Sequence, residues 1–218
     1  MESILKVDYC SFKAAYYACT HWHYSKSMPV GKLVKIGAWE NKIFKGAVIF
    51  GYGANKSIAS PYNLTQTEVC ELVRVALSEH QTPVTRIVSI ALKMLKKACP
   101  GVRLVVSYAD KDQGHSGGIY KGGNWVYEGL FNEGTRSAFM VKGRKMHPKS
   151  IHSKYGTGTQ RLSWLKENID PDASEYFTKG KHKYLYVLDD TIRDDILKRA
   201  KPYERVSSVV VARQASSL

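Results

Sequence analysis

The sequence predicts an α/β chain of mixed (α+β) type: a central mixed, mostly antiparallel sheet with flanking helices, followed by a basic C-terminal extension. Three stretches predict it. Residues 84–98, VTRIVSIALKMLKKA, have the clearest helical period in the chain. Val84, Ile87, Val88, Ala91, Leu95 and Ala98 form one stripe, with Lys93, Lys96 and Lys97 off its centre. That helix lies between strand-like stretches at 67–78 and 102–110, and the whole unit has the length of a right-handed crossover joining parallel strands. KLVKIGAWE and IFKGAVIFGYG, separated by Asn41-Lys42, are rich in β-formers and read as a hairpin.

The remaining elements follow in order. Residues 11–20, SFKAAYYACT, read as a helix with Ser11 as N-cap and with Phe12, Ala15, Tyr16 and Cys19 on one face. HWHYSKSMP at 21–29 is then a helix end running into a loop, because Pro29 disfavours helix at Met28. Residues 54–64 read as loop. In 67–78, strict alternation puts Val69, Glu71, Val73, Val75 and Leu77 on one side and Cys70, Leu72, Arg74 and Ala76 on the other. Pro83 suits the start of the helix over 84–98, and Pro100-Gly101 stops it. VRLVVSYAD is a buried strand ending in Asp110. The Gly-rich stretch after it holds a short helix, and VYEGLF and RSAFMVKG read as two further antiparallel strands.

Beyond Gly143 the texture becomes basic. A helix is expected over 159–169, a basic turn feeding a strand in KGKHKYLYVL, an amphipathic helix over 189–200, and a loose tail after Ser207. Residues 1–145 are expected to form the core, with 146–218 packed on it as an extension that contacts nucleic acid.

The chain has 218 residues and a formal net charge of +14. Such an excess favours a polyanionic partner, nucleic acid first, over a merely solvated basic surface. Cys10, Cys19, Cys70 and Cys99 form no metal-site spacing and sit among apolar neighbours, as buried reduced thiols of a cytoplasmic protein do. The N-terminal decapeptide lacks the pattern of a signal peptide, and no apolar run is long enough to span a bilayer. No membrane association is therefore expected. The oligomeric state stays open, with a homodimer among the options.

The element order resembles the GNAT-type acyltransferase fold. GGIYKGGNWVYEG supplies Tyr120, Gly123, Trp125 and Gly129 in the manner of that fold's short Tyr-bearing helix and its glycine-aromatic step into a strand. Where the fold usually has a Gly-rich phosphate loop, this chain has EHQTPVTRIVS, with no glycine. A helix N-terminus with Thr85, Arg86 and Ser89 can still hold a pyrophosphate. Taken together, HWHYSKSMP, GAWE, AVIFGYGA, CELVRVAL, PVTRIVSIALKMLKK, VVSYAD and HSGGIYKGGNWVYEG resemble the Mom family of phage DNA-modification proteins. The resemblance implies conversion of adenine N6 in double-stranded DNA to a carbamoylmethyl form that shields phage DNA from restriction in a bacterial cytoplasm. It also implies acetyl-CoA as cofactor, and iron as a further one. Two other readings are an acetyltransferase acting on a protein or small amine, and a DNA-binding protein without enzymatic activity.

On this resemblance the site comprises His23, Tyr24, Arg74, Asp110 and Tyr120. His23 is a base or metal ligand, or else part of an aromatic cluster at a helix end. Tyr24 is a proton donor or oxygen ligand. Asp110 ends a buried strand and is a base or ligand there, or a turn cap. Tyr120 matches the fold's general acid, or else covers a sheet edge. Arg74 pairs with Asp110 or Glu71, or with a substrate anion. His23, Asp110 and Tyr120 offer an N/O donor set suited to iron. Acetyl-CoA would lie along Val75, Ala76 and Leu77 and reach Thr85, Arg86 and Ser89. Lys142, Arg144, Lys145, Lys149, Lys154, Arg161, Lys181 and Lys183 are the candidate phosphate contacts. N6 would be reached on a flipped base or in the major groove.

Overall fold

The computed structural model describes residues 4–53, 55 and 57–203; the tail after Ser207 lies outside them. The elements in chain order are β1 (Leu5–Tyr9), α1 (Phe12–Trp22), β2 (Leu33–Glu40), β3 (Ile43–Gly51), β4 (Val69–Leu77), α2 (Val84–Ala98), β5 (Leu104–Asp110), α3 (Gly118–Lys121), β6 (Val126–Phe131) and β7 (Arg136–Val141). They continue with β8 (Arg144–Met146), α4 (Pro148–Tyr155), α5 (Leu162–Asn168), β9 (Ser174–Phe177), β10 (Lys181–Val187) and α6 (Arg193–Leu197). Short 3-10 turns occupy Ser60–Tyr62, Lys111–Gln113 and Asp190–Ile192.

A seven-stranded sheet runs β1-β2-β3-β4-β5-β10-β6, and a three-stranded sheet runs β8-β7-β9. The β4–β5 pair is parallel and the other pairs are antiparallel. The fold is therefore the expected mixed, mostly antiparallel one, with α2 as the crossover between its parallel strands. α2 buries Ile87, Val88, Ala91, Leu92 and Leu95 against Ile36, Val48 and Phe50 of the sheet. Truncating a fully buried residue such as Leu95 to Ala costs about 2–5 kcal/mol.

Four expectations change. β6 and β7 do not form a hairpin. β6 pairs with β10 in the large sheet, while β7 joins the small one. β10 belongs to the C-terminal region yet lies between β5 and β6, so residues beyond 145 complete the main sheet instead of lying on it. The inner face of α1 is Ala15, Ala18 and Cys19, whereas Phe12 and Tyr16, expected beside them, are 59% and 51% exposed. Small residues let this helix sit close to β3 and β4.

The fourth change is in β4. Ile49 pairs with Arg74 and Phe50 with Leu72, so Val73 is an unpaired extra residue, a β-bulge. The bulge breaks the strict alternation. Cys70, Leu72, Val75 and Leu77 all pack on the α2 side, while Val73 and Ala76 pack against α1.

Candidate active site

β4 and β5 pair only at Val69–Leu104, Cys70–Val105 and Glu71–Val106, then part. Two features hold them apart. The bulge at Val73 bends the second half of β4. Ser107 Oγ donates to the Leu72 carbonyl at 3.0 Å, satisfying the first carbonyl beyond the ladder. On the α2 side the parting opens a cleft of about 470 Å³. Val75, Leu77, Val84, Ile119 and Tyr120 line it, together with the glycine-rich turn from Gly114 to Gly118.

Tyr120 is buried where the strands separate. Its ring stacks on Tyr184 at 4.4 Å and meets Trp125 edge-on at 5.1 Å. Since the Ser107 proton is committed to Leu72, the Tyr120 hydroxyl donates to Ser107 Oγ at 2.8 Å. Burial pushes its pKa up to about 12, against the opposing effect of the Ser107 bond.

The opposite face of the parting carries the polar groups. His23 is buried at the end of α1. Its Nδ1 accepts from the Ser25 backbone N–H at 3.1 Å and lies 2.8 Å from Ser25 Oγ. A backbone N–H can only donate, so the neutral ring carries its proton on Nε2. Burial, with Arg74, His115 and Lys26 adding positive charge, lowers its pKa to about 4. Tyr24 packs on His23 at 4.2 Å and meets His115 edge-on at 5.2 Å. Burial and the nearby Asp110 and Glu71 carboxylates raise its pKa. Arg74 forms neither expected ion pair: it donates to the Val73 carbonyl at 2.7 Å and the Ser27 carbonyl at 3.4 Å, tying β4 to the loop after α1. Asp110 caps the following 3-10 turn through Asp112 N–H (3.0 Å) and faces Lys181 at 3.6 Å.

The profile of the Mom protein family matches residues 4–205. The chain belongs to that family. Methylcarbamoylase mom of Escherichia phage Mu is 24% identical to this Mom-family chain over 190 residues, covering 84% of it and 76% of the phage Mu protein. Two solved acetyltransferases are distantly similar in outline. Ribosomal-protein-S5-alanine acetyltransferase from Vibrio fischeri has 9% identity and a TM-score of 0.44, covering 87% of this chain and 98% of its own. Spermidine N-acetyltransferase from Vibrio cholerae, in complex with CoA and spermine, has 8% identity and a TM-score of 0.43, covering 84% and 95%. Likenesses this distant bear on neither chemistry nor ligand.

Glu71 is a member of the site that sequence reasoning treated only as a partner for Arg74. It is the last β4 residue in the parallel ladder and leans on Gly53, where any Cβ would strike its carboxylate. Burial raises its pKa, with Lys181 and Arg74 opposing. The sequence signal was a carboxylate among Val69, Val73, Val75 and Leu77 on one predicted side of the strand. His115 and Ser107 were missed because only the fold brings them here.

The expected metal set does not assemble. His23 presents a protonated Nε2, Asp110 faces Lys181, and Tyr120 donates to Ser107. Among the described residues, no three His, Cys, Asp or Glu side chains gather as ligands. These donors do not fit iron.

The cofactor residues divide. Val75 and Leu77 line the cleft, whereas Ala76 is buried against α1. Thr85, Arg86 and Ser89 lie on the first two turns of α2, where Arg86 is exposed. The glycine-free loop before α2 is held from within: Glu40 accepts from Gln81 N–H at 3.0 Å and Thr82 N–H at 2.6 Å.

The basic residues divide too. Lys142, Arg144, Lys149, Lys154 and Arg161 are exposed. Lys145 is paired with Asp112 at 2.8 Å. The Asp112 side chain, in the turn after β5, is only 4% exposed. Lys183 is not a surface residue. Its ammonium is buried against Glu128 at 3.0 Å, over the rings of Tyr62 and Phe131, and Arg199 and Tyr62 bind the same carboxylate. Among the described residues, no helix is long and apolar enough to cross a membrane.

Proposed function

We propose that this Mom-family chain modifies phage DNA, converting adenine N6 in double-stranded DNA to a carbamoylmethyl derivative that protects it from restriction, with acetyl-CoA as acyl source. The observation that carries the reading is the family match over residues 4–205. A cleft at the parting of β4 and β5 supports it, with polar groups on the far side.

The cleft fits an elongated thioester. Beyond Glu71 the edge of β4 facing β5 has no ladder partner, so the amides of an extended arm can pair with it as a strand would. Val75, Leu77 and Val84 cover the arm's methylenes. Bound acyl-CoA supplies an activated carbonyl.

The chain's own groups supply positioning and proton transfer. The N6 lone pair is delocalised into the adenine ring, so a proton acceptor is needed as the new bond forms. Glu71, with its raised pKa, takes that role. Neutral His23 donates from Nε2 to the oxygen on which charge develops. Tyr120, on the sulfur side of the cleft, turns its hydroxyl proton from Ser107 Oγ to the departing sulfur. Acyl transfer alone leaves a carbonyl on N6. A carbamoylmethyl group joins N6 through the methyl-derived carbon and carries a further nitrogen, so reaching it from an acetyl unit takes an ammonia-equivalent donor and a two-electron oxidant besides acyl-CoA. The roles above belong to the acyl-transfer step.

The test is co-expression with a plasmid, digestion of the DNA to nucleosides and mass spectrometry. A new deoxyadenosine species is expected, reduced roughly 100-fold in Glu71→Gln and Tyr120→Phe. Its absence with soluble wild-type protein overturns the reading. Acetylated protein or polyamine in its place would favour the acetyltransferase alternative, and salt-dependent DNA binding without a modified base the non-enzymatic one. Modification retained in Asp110→Ala would remove Asp110 from the chemistry.

A further inference from the structure

The outward face of α1 is built the wrong way round for a helix facing water. Its small residues, Ala15, Ala18 and Cys19, are buried, while three of its large rings point out. Phe12, Tyr16 and Tyr17 are 59%, 51% and 47% exposed. Such an array of exposed rings is kept at a cost in apolar hydration and marks an interaction surface.

The rings are already ordered. Phe12 and Tyr16 lie 6.1 Å apart with their planes inclined by 28°, and Tyr17 stacks on His21 at 4.0 Å. Just past the helix end Tyr24, 47% exposed, packs on His23 and His115 at the candidate active site. Along the chain through α1 the charge has one sign. Residues 9–39 contain Lys13, Lys26, Lys32 and Lys35 and no Asp or Glu. Lys13 and Lys26 are exposed, and Lys26 donates to the His21 carbonyl at the end of α1.

We infer that this face of α1 is a stacking platform for unpaired DNA bases beside the adenine being modified, with Lys13 and Lys26 against the adjoining phosphates. The inference rests on the DNA-modification reading and deepens it: the strand that enters the site is locally opened. Aromatic rings stack on the faces of unpaired bases, which an intact duplex hides, and neighbouring cations track the backbone. A second copy of the chain fits the face less well, since two molecules of net charge +14 repel each other.

The experiment uses the full chain with a fluorescently labelled adenine-containing oligonucleotide, single-stranded or in duplex, and follows anisotropy. Wild type is expected to bind the single strand more tightly than the duplex. Phe12→Ala, Tyr16→Ala and Tyr17→Ala are each expected to weaken single-strand binding about tenfold. Tyr16→Phe keeps the ring and should bind like wild type. Because these side chains are exposed, melting temperatures should stay unchanged.

If wild type modifies plasmid DNA while the three alanine variants bind and modify equally well, the platform falls and the proposed function stands. If wild type neither binds nor modifies DNA, both fall. A dimer that the same variants dissociate in sedimentation, with DNA binding intact, would make the face a self-association surface and overturn the inference.

Discussion

Asp112 and Lys145 join the two sheets. The Lys145 ammonium lies 2.8 Å from Asp112 Oδ2, linking the middle of β8 to the turn that follows β5. Thr178 Oγ1 and Lys179 N–H donate to the same carboxylate at 2.9 Å each. The small sheet, with α4 and α5, has its own core of Phe139, Val141, Ile151, Leu165 and Ala173. This carboxylate tethers that unit beside the cleft.

The tether predicts an acid-sensitive fold. Burial alone would raise the Asp112 pKa, but the bonds from Lys145, Lys179 and Thr178 more than offset it and leave it well below the usual carboxylate range. A pKa depressed in the folded state contributes stability above the unfolded value and loses it as pH falls. Asp112→Ala should cost about 2–3 kcal/mol near neutral pH, because Thr178 and Lys179 also lose their acceptor. Lys145→Ala should cost less. Chemical denaturation at pH 7 and pH 3 checks both, with the gap between wild type and Asp112→Ala narrowing at pH 3.

His23 predicts a second pH effect. Its folded pKa of about 4 lies below the usual 6.5. The unfolded chain therefore binds more protons between those values, and stability rises with pH across that window. His23→Gln should flatten the dependence of melting temperature on pH between about 4 and 6.5. The same variant should lower modification roughly 100-fold at pH 7.5, where His23 is neutral. A wild-type activity profile with a limb near pH 6.5 assigned to His23 would contradict the buried, Nε2-protonated ring.

Lys183 and the exposed cations should separate cleanly. Removing one partner of a buried ion pair costs about 3 kcal/mol or more. Lys183→Ala should thus lower the melting temperature and leave the salt dependence of DNA binding unchanged. Arg144→Ala, Lys149→Ala or Arg161→Ala should leave stability nearly intact. Each that meets a phosphate should reduce the slope of log affinity against log salt by about 1. Melts and salt titrations of the four proteins check the contrast.

Local signals in the sequence were reliable and long-range ones were not. The stripe of α2 and the crossover between β4 and β5 read directly, because each depends on neighbouring residues. The Ser11 cap did too: its hydroxyl accepts from Ala14 N–H at 3.2 Å. β1, β8, β9 and α4 were missed, three of them being short or polar segments stabilised by remote partners. The Val73 bulge inverted the sidedness of β4 and moved Arg74 from a pairing with carboxylates to backbone carbonyls. Lys183 looked like surface charge because nothing within KGKHKYLYVL reveals Glu128 across the sheet. His23, Tyr24, Asp110 and Tyr120 do converge around the parted strands, but their hydrogen bonds, and so their chemical states, required the fold.

The place of β10 between β5 and β6 has a consequence for how the chain is born. On the ribosome, β1 to β5 can assemble in the order they emerge, but β6 emerges with no strand to receive it. The pairing of Asp110 with Lys181 closes a long loop before any ladder energy is gained, which slows that half of the sheet. Until residues 181–187 leave the exit tunnel, β5 presents an open edge to other nascent chains. Chains stalled or truncated before β10 should therefore be the aggregation-prone products of expression.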